Sequence, residues 1–224
     1  MKNVFSVSRS IAIACSLSAL SALAMTDATW TAEAMSSDGS TISTNGTIVC
    51  AYAFSSRTVN GVSFSACRSF QSGDGMVSFT PAISGTHNDY YTNHSQWNDF
   101  GGLINDGWYW NNDISSVTLT LEGLTAGSRY LVQLVSHSCQ SSELNMAISV
   151  GGTPPQPVGK TSGEQNAYKY GASVVGVFTA SSAAESFVIT YSGSEGERPL
   201  NAIQVRELAS SSPVSVPGLI LMCK

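Results

Sequence analysis

The strongest constraint in this chain is a two-residue hydrophobic rhythm that recurs in short runs and never lengthens into a helical one. Successive side chains of an extended segment point to opposite faces, so alternating apolar and polar residues mark a strand with one buried face. Val117-Thr118-Leu119-Thr120-Leu121 puts its apolar side chains on one face. Tyr130-Leu131-Val132-Gln133-Leu134-Val135 is apolar on both faces except at Gln133, the pattern of a central sandwich strand. Met146, Ile148 and Val150 alternate with Ala147 and Ser149, and Ile203 and Val205 alternate with Gln204 and Arg206. Val174-Val175-Gly176-Val177-Phe178 and Phe187-Val188-Ile189-Thr190-Tyr191 are rich in β-branched residues, which suit a pleated surface. Turn signals separate the runs: Gly123, Ala126-Gly127, Gly151-Gly152 with Pro154-Pro155, and Ser192-Gly193. Beyond the N-terminal segment no stretch of about a dozen residues holds a 3.6-residue period. Strands at this spacing without intervening helices predict an all-β chain, an antiparallel β-sandwich of jelly-roll type.

One connection sharpens that expectation. Leu121-Glu122-Gly123-Leu124-Thr125-Ala126-Gly127-Ser128-Arg129-Tyr130 joins two strands through a glycine-containing corner that ends in tyrosine. In Greek-key sandwiches such a tyrosine caps the arch by bonding back to upstream backbone.

Charge narrows the function classes. Only 11% of the residues are charged, against roughly 25% in an average soluble domain. The net charge of −5 excludes a nucleic-acid partner, because neutralising phosphates requires a basic stripe. A long coiled coil needs more Glu, Lys and Arg than this, and a charge-driven disordered chain needs less apolar surface. Ser and Thr fill the outward strand positions instead, keeping β-propensity while staying hydrated.

The termini divide the chain into three. Lys2 and Arg9 precede an uncharged, small and apolar stretch, Ser10 to Leu23, that ends in Ala22-Leu23-Ala24. This is the pattern of a secretory signal peptide over residues 1–24, and it predicts a secreted or cell-surface destination. Residues 25–209 form the β-sandwich domain. Residues 210–224 are a linker and a short apolar tail, Leu219 to Met222, too short to span a bilayer. No transmembrane segment is expected in the mature chain.

Four cysteines remain after export: Cys50, Cys67, Cys139 and Cys223. The runs ending in Cys50 and Cys67 flank the hairpin dipeptide Asn60-Gly61, and pairing them as adjacent strands would bring the two thiols together. They are the disulfide candidate. The alternative is two buried thiols on a sheet face.

The ordered series of segments resembles a known kind of module. Gly102-Leu103-Ile104-Asn105-Asp106-Gly107-Trp108-Tyr109 comes first, then Val117 to Gly127 leading into Tyr130-Leu131-Val132-Gln133-Leu134. Ile148-Ser149-Val150-Gly151-Gly152 and Val175-Gly176-Val177-Phe178-Thr179-Ala180 follow, and Leu200-Asn201-Ala202-Ile203-Gln204-Val205-Arg206 closes the series. Upstream, Ile42 to Val49, Ala51 to Phe54 and Thr58 to Phe64 look like the start of the same module. The whole resembles the galactose-binding-like or malectin-like β-sandwich of secreted bacterial proteins. Such modules occur in PEP-CTERM-type exported proteins of planctomycete- and verrucomicrobium-like bacteria. The tail departs from that pattern, because it lacks a Pro-Glu-Pro signature, a full-length helix and a basic cluster.

Residues 87–113 carry the most conspicuous local composition, including Trp97, Trp108 and Trp110. Sugar rings stack their C–H faces on flat aromatic rings, and their hydroxyls need amides and carboxylates. The candidate ligand contacts are Tyr90, Tyr91, Trp97, Trp108, Tyr109, Trp110, Asn111 and Asp113. The competing reading is that these aromatics pin a long loop to the sandwich; Trp108 and Trp110 sit two apart, as two residues on one strand face would. Asp99, Asp106, Asn111, Asn112 and Asp113 would supply oxygens to a structural calcium, though not at EF-hand spacing. No other cofactor is expected. His87, His94 and His137 fit no zinc spacing and read as surface histidines. Glu195, Glu197 and Arg198 read as a solvated hairpin tip. No G-x-S-x-G elbow, H-E-x-x-H helix or P-loop is present. The expectation is a non-catalytic exported module that binds polysaccharide or cell-surface glycan. The alternatives are a structural envelope or matrix protein and, third, a hydrolase acting on glycosides.

Overall fold

The alternating runs become strands in a computed structural model that describes residues 28–36, 38–68, 70, 75–83, 85–88, 99–110, 114–137, 147–157, 171–192 and 198–209. In chain order the elements are β1 (Thr29–Ala34), β2 (Thr47–Ala53), β3 (Arg57–Val59), β4 (Val62–Ala66), β5 (Val77–Thr80), β6 (Gly85–Asn88), α1 (Asp99–Asn105) and β7 (Asp106–Trp110). Then follow β8 (Ser116–Glu122), β9 (Arg129–Ser136), β10 (Ala147–Val150), β11 (Gln156–Pro157), β12 (Ala172–Thr179), β13 (Ala184–Ser192), β14 (Arg198–Leu200) and β15 (Ala202–Leu208). A seven-stranded sheet, β1-β12-β9-β15-β2-β4-β3, faces a five-stranded one, β11-β10-β13-β8-β5, and a small sheet, β14-β7-β6, stands apart. The fold is the expected all-β sandwich. Among the described residues its pairs are antiparallel except β2 with β4, which run parallel.

The core lies between the two large sheets. Val132 and Leu134 of β9, Val174 and Phe178 of β12, and Ile203 and Val205 of β15 meet Leu119 and Leu121 of β8 and Phe187, Ile189 and Tyr191 of β13. Along β13 burial alternates without a break, from exposed Ala184 through buried Glu185 to exposed Ser192. Most outward positions of β8 and β13 carry hydroxyls, with Thr120 Oγ1 and Ser186 Oγ 3.1 Å apart across the strands, while Val188 is an exposed apolar exception. Trp30 of β1 packs edge-on against Phe187, and Gly176 leaves the room its ring occupies.

The seven-stranded sheet is covered on its other face too. A second apolar cluster of Met35, Ile42, Ala51, Val59, Phe64, Leu103, Ile104 and Val135 lies there, under α1 and the β3–β4 hairpin. Beside it, a polar ladder holds the connection from β1 to β2. Gln133 donates to Thr41 O (2.6 Å) and Ser173 Oγ (2.7 Å), and its Oε1 accepts from Ser43 N (2.9 Å) and Gln204 Nε2 (2.6 Å). Gln204 Nε2 also donates to Ser43 O (3.0 Å). Arg206 donates from Nη1 to Gln204 Oε1 (3.1 Å), from Nη2 to Thr44 O (3.0 Å) and Gly46 O (2.7 Å), and from Nε to Asn45 O (2.9 Å). A buried guanidinium is tolerated here because carbonyl dipoles replace its water.

The tyrosine corner forms as expected. The Tyr130 phenol oxygen accepts from Thr125 N at 2.9 Å, and its ring stacks on Phe178 with centroids 5.8 Å apart.

The cysteine expectation is corrected. Asn60 and Gly61 do make a hairpin, with φ of 47° and 73° as a type I′ turn requires, but it joins β3 to β4. β4 then returns parallel to β2, with Tyr52 level with Ser65. Cys50 is therefore level with Ser63, and Cys67 lies about 13 Å farther along the strands. Disulfides need Cα atoms within about 7 Å. Both residues remain thiols, and burial pushes the Cys50 thiol up to about 12. His137 is also corrected, since it is buried at the end of β9 rather than on the surface. Arg198 is the first residue of β14 rather than part of a hairpin tip.

Two measurements check this architecture. Tyr130→Phe leaves the Thr125 N–H without its acceptor, and loses about 1–2 kcal/mol in chemical denaturation. Non-reducing peptide mapping finds no Cys50–Cys67 bond, and Cys50 is alkylated at pH 8 only after unfolding, because a thiol held up to about 12 carries almost no thiolate there.

Candidate functional site

The segment singled out by its aromatics is mounted on the small sheet. β7 is its centre, with Tyr109 level with Gly85 on one side and Pro199 on the other, and Trp108 level with Thr86 and Leu200. β7 follows directly from α1, whose Leu103 and Ile104 are buried in the second apolar cluster. α1 is a helix of seven residues that the sequence reading does not anticipate.

Buried polar groups hold this mount in place. Asn201, fully buried, donates from Nδ2 to Ile104 O (2.9 Å) and Asp106 O (3.2 Å), while its Oδ1 accepts from His137 N (2.7 Å). One side chain thus ties the end of α1, the start of β7 and the end of β9. Gly107 permits this approach, because a Cβ there would lie 2.9 Å from both Asn201 Nδ2 and Leu200 O. On the other flank, Ser136 Oγ and Tyr191 Oη both donate to Pro199 O at 2.6 Å and fix β14.

Trp108 leaves the candidate contact set. It is 0% exposed, its ring meets Phe70 with centroids 4.6 Å apart and Phe54 at 6.4 Å, and its Nε1 donates to Cys67 O at 2.8 Å. A tryptophan buried this way offers no ring face to a ligand; it anchors β7 in the sandwich core. Tyr109, next along the strand, points to the opposite side and is half-buried. Its neighbour Gly85 contributes no side chain to cover it.

The remaining candidates divide. Trp110 closes β7, level with Arg198. Tyr90, Tyr91, Trp97, Asn111 and Asp113 lie outside the described residues. The segment holding Tyr90, Tyr91 and Trp97 is attached at Asn88, level with Asp106, whereas Asn111 and Asp113 are attached at Trp110, the opposite end of β7. Those attachment points are about 14 Å apart at strand rise.

Of the oxygen donors considered for calcium, Asp106 accepts from Ser55 Oγ at 3.0 Å, and Asn111, Asn112 and Asp113 lie outside the described residues. Among the described residues no three His, Cys, Asp or Glu side chains gather as a metal site would require. No helix among them is long and apolar enough to cross a membrane.

Near this mount the sequence reading overlooks one feature, an open recess lined by Ser56, Arg57, Thr58, Ser63 and Phe64. α1 packs against β3 beside it. The signal available was the single arginine beside the Asn60-Gly61 turn, indistinguishable in sequence from an ordinary solvated charge.

Comparison with known proteins assigns no family: no family model matches the chain, and no curated protein does. Among solved structures the chain is similar to Bacteroides uniformis β-glucuronidase, at 14% identity and a TM-score of 0.40 over 66% of this chain and 16% of that one. It is also similar to β-glucuronidase 2 of Bacteroides uniformis covalently bound to cyclophellitol-6-carboxylate aziridine, at 14% identity and a TM-score of 0.42 over 71% of this chain and 18% of that one. A calcium-binding mutant of that β-glucuronidase 2 gives 14% identity and a TM-score of 0.41 over 66% and 16%. The chain spans less than a fifth of these enzymes' length, and the functional reading rests on its own geometry.

Proposed function

We propose that this chain is an exported, non-catalytic β-sandwich module that binds polysaccharide or cell-surface glycan, of the galactose-binding-like or malectin-like kind. The observation that carries the reading is the division of labour on β7. Trp108 is spent on anchoring the strand, and Tyr109 is turned away from the core beside a glycine. A strand locked by Asn201, Trp108 and the bonds to Pro199 presents an aromatic ring at little entropic cost, which is what a weak sugar-stacking site needs. Trp110 continues the same strand, and in sequence the rings of Tyr90, Tyr91 and Trp97 precede β7 while the Asn111 amide and the Asp113 carboxylate follow it. Amides and carboxylates are the groups that sugar hydroxyls bond to.

The reading separates two variants that sequence alone would treat alike. On a broad glycan array the mature domain, residues 25–209, retains at least one polysaccharide. Tyr109→Ala lowers that retention about tenfold or more while the melting temperature stays within a few degrees. Trp108→Ala instead destabilises by about 3–5 kcal/mol through the cavity it leaves. A wild-type domain that binds nothing on the array ends the proposal.

A further inference from the structure

A half-buried arginine at the edge of the seven-stranded sheet makes one side-chain hydrogen bond among the described residues. Arg57 begins β3, the outermost strand. Its Nη1 donates to Ser56 O at 3.1 Å; its other N–H groups meet no acceptor, and no carboxylate pairs with it, among the described residues. Arg57 has room to lie directly on α1. A Cβ added at Gly102 would sit 2.5 Å from Arg57 Nε and push the guanidinium away. Glycine inside a helix costs about 1 kcal/mol relative to alanine, so the chain carries a local penalty where this side chain approaches α1.

The surroundings supply donors rather than acceptors. Ser56, Arg57, Thr58, Ser63 and Phe64 line an open recess of about 420 Å³, within the range of small-molecule sites. Thr58 pairs with Ser63 and Arg57 with Phe64 across the hairpin, so the recess wraps the hairpin edge and takes residues from both faces. Thr58 Oγ1 and Ser63 Oγ are 3.3 Å apart; one donates to the other, and the second keeps its proton for a ligand. Ser56 Oγ accepts from Ala66 N at 3.2 Å and likewise retains its own proton. A positive charge and hydroxyl protons without a lining carboxylate suit a ligand that brings acceptors and negative charge.

We propose that this recess binds the oxyanion of a small polar ligand, the carboxylate of a uronic acid or the sulfate ester of a sugar, with Arg57 as its charged contact. A guanidinium meets two oxyanion oxygens at once, and such charge-assisted bonds are about twice as strong as neutral ones. The chain's net charge of −5 gives no long-range attraction for anions, so binding is short-range, weak and sensitive to salt. The saccharide half of this assignment rests on the glycan-binding reading; the oxyanion half does not.

The test is an amide chemical-shift titration of the mature domain with sodium glucuronate, methyl glucoside and sodium sulfate at low ionic strength. Glucuronate is expected to shift the amides of Thr58, Ser63 and Gly102, methyl glucoside is not, and Arg57→Gln weakens the glucuronate response about tenfold or more. Arg57→Lys restores part of it, which shows that charge at this place matters rather than a folding defect. Sulfate shifting the same amides when no saccharide binds anywhere on the domain supports the oxyanion site and defeats the glycan reading. Saccharide shifts confined to β7 and unchanged by Arg57→Gln defeat the recess and leave the glycan reading standing. Equal response to glucuronate and methyl glucoside at the recess overturns the assignment.

Discussion

The structure depends on a sheet that is buried on both faces. β9 and β15 lie inside the seven-stranded sheet, with apolar side chains toward the sandwich core and Gln133, Gln204 and Arg206 toward the opposite side. A second face buried without partners for those groups would be unstable, because each orphaned polar group costs more than a hydrogen bond returns. The β1–β2 connection solves this by lying across the strands and offering its carbonyls to the ladder. It also brings Ile42 into the second apolar cluster. With that face sealed, the hairpin and α1 have a surface to pack on, and β7 has a fixed origin.

The small sheet inherits its rigidity from the same design. Asn201 immediately precedes β15, so the strand that carries the ladder also carries the side chain that fixes β7. The sandwich therefore transmits its stability to the candidate site through Asn201, the Trp108 indole and the two hydroxyls that hold Pro199. What the described residues of this part of the molecule offer is a locked strand with a half-buried ring, Tyr109, turned away from the core. Under the proposed reading such ordering of groups before a ligand arrives lowers the cost of binding.

Much of this was legible in the sequence, for reasons that differ by element. Val117 to Leu121 and Phe187 to Tyr191 announced themselves because a strand with one wet face writes its period directly. The tyrosine corner was legible because its contact is local, Tyr130 to Thr125. Gln133 stood out as the one polar residue of an apolar run, and it is the hub of the ladder. The parallel β2–β4 pair was not legible, since it depends on which distant segments share a sheet; hence the misplaced cysteine pair. α1 was missed because seven residues make about two turns, too few to display a period. Trp108 and Tyr109 could not be separated, because core packing and sugar stacking use the same side chains and only burial tells them apart. Arg57 was invisible as a candidate, because a charge beside a turn is ordinary until its place against α1 and the single acceptor it meets among the described residues are seen.

The ladder on the outer face grips its strap by the main chain. Thr44 and Asn45 lend their carbonyls to Arg206 while their own side chains are exposed, and Gly46 alone is constrained, since a Cβ there would lie 2.5 Å from Glu207 O. The identity of residues 44 and 45 is thus nearly free of the fold. Those positions are where a fluorophore, an affinity handle or an attachment chemistry could be installed, on the face opposite the five-stranded sheet, without disturbing what holds the sandwich together.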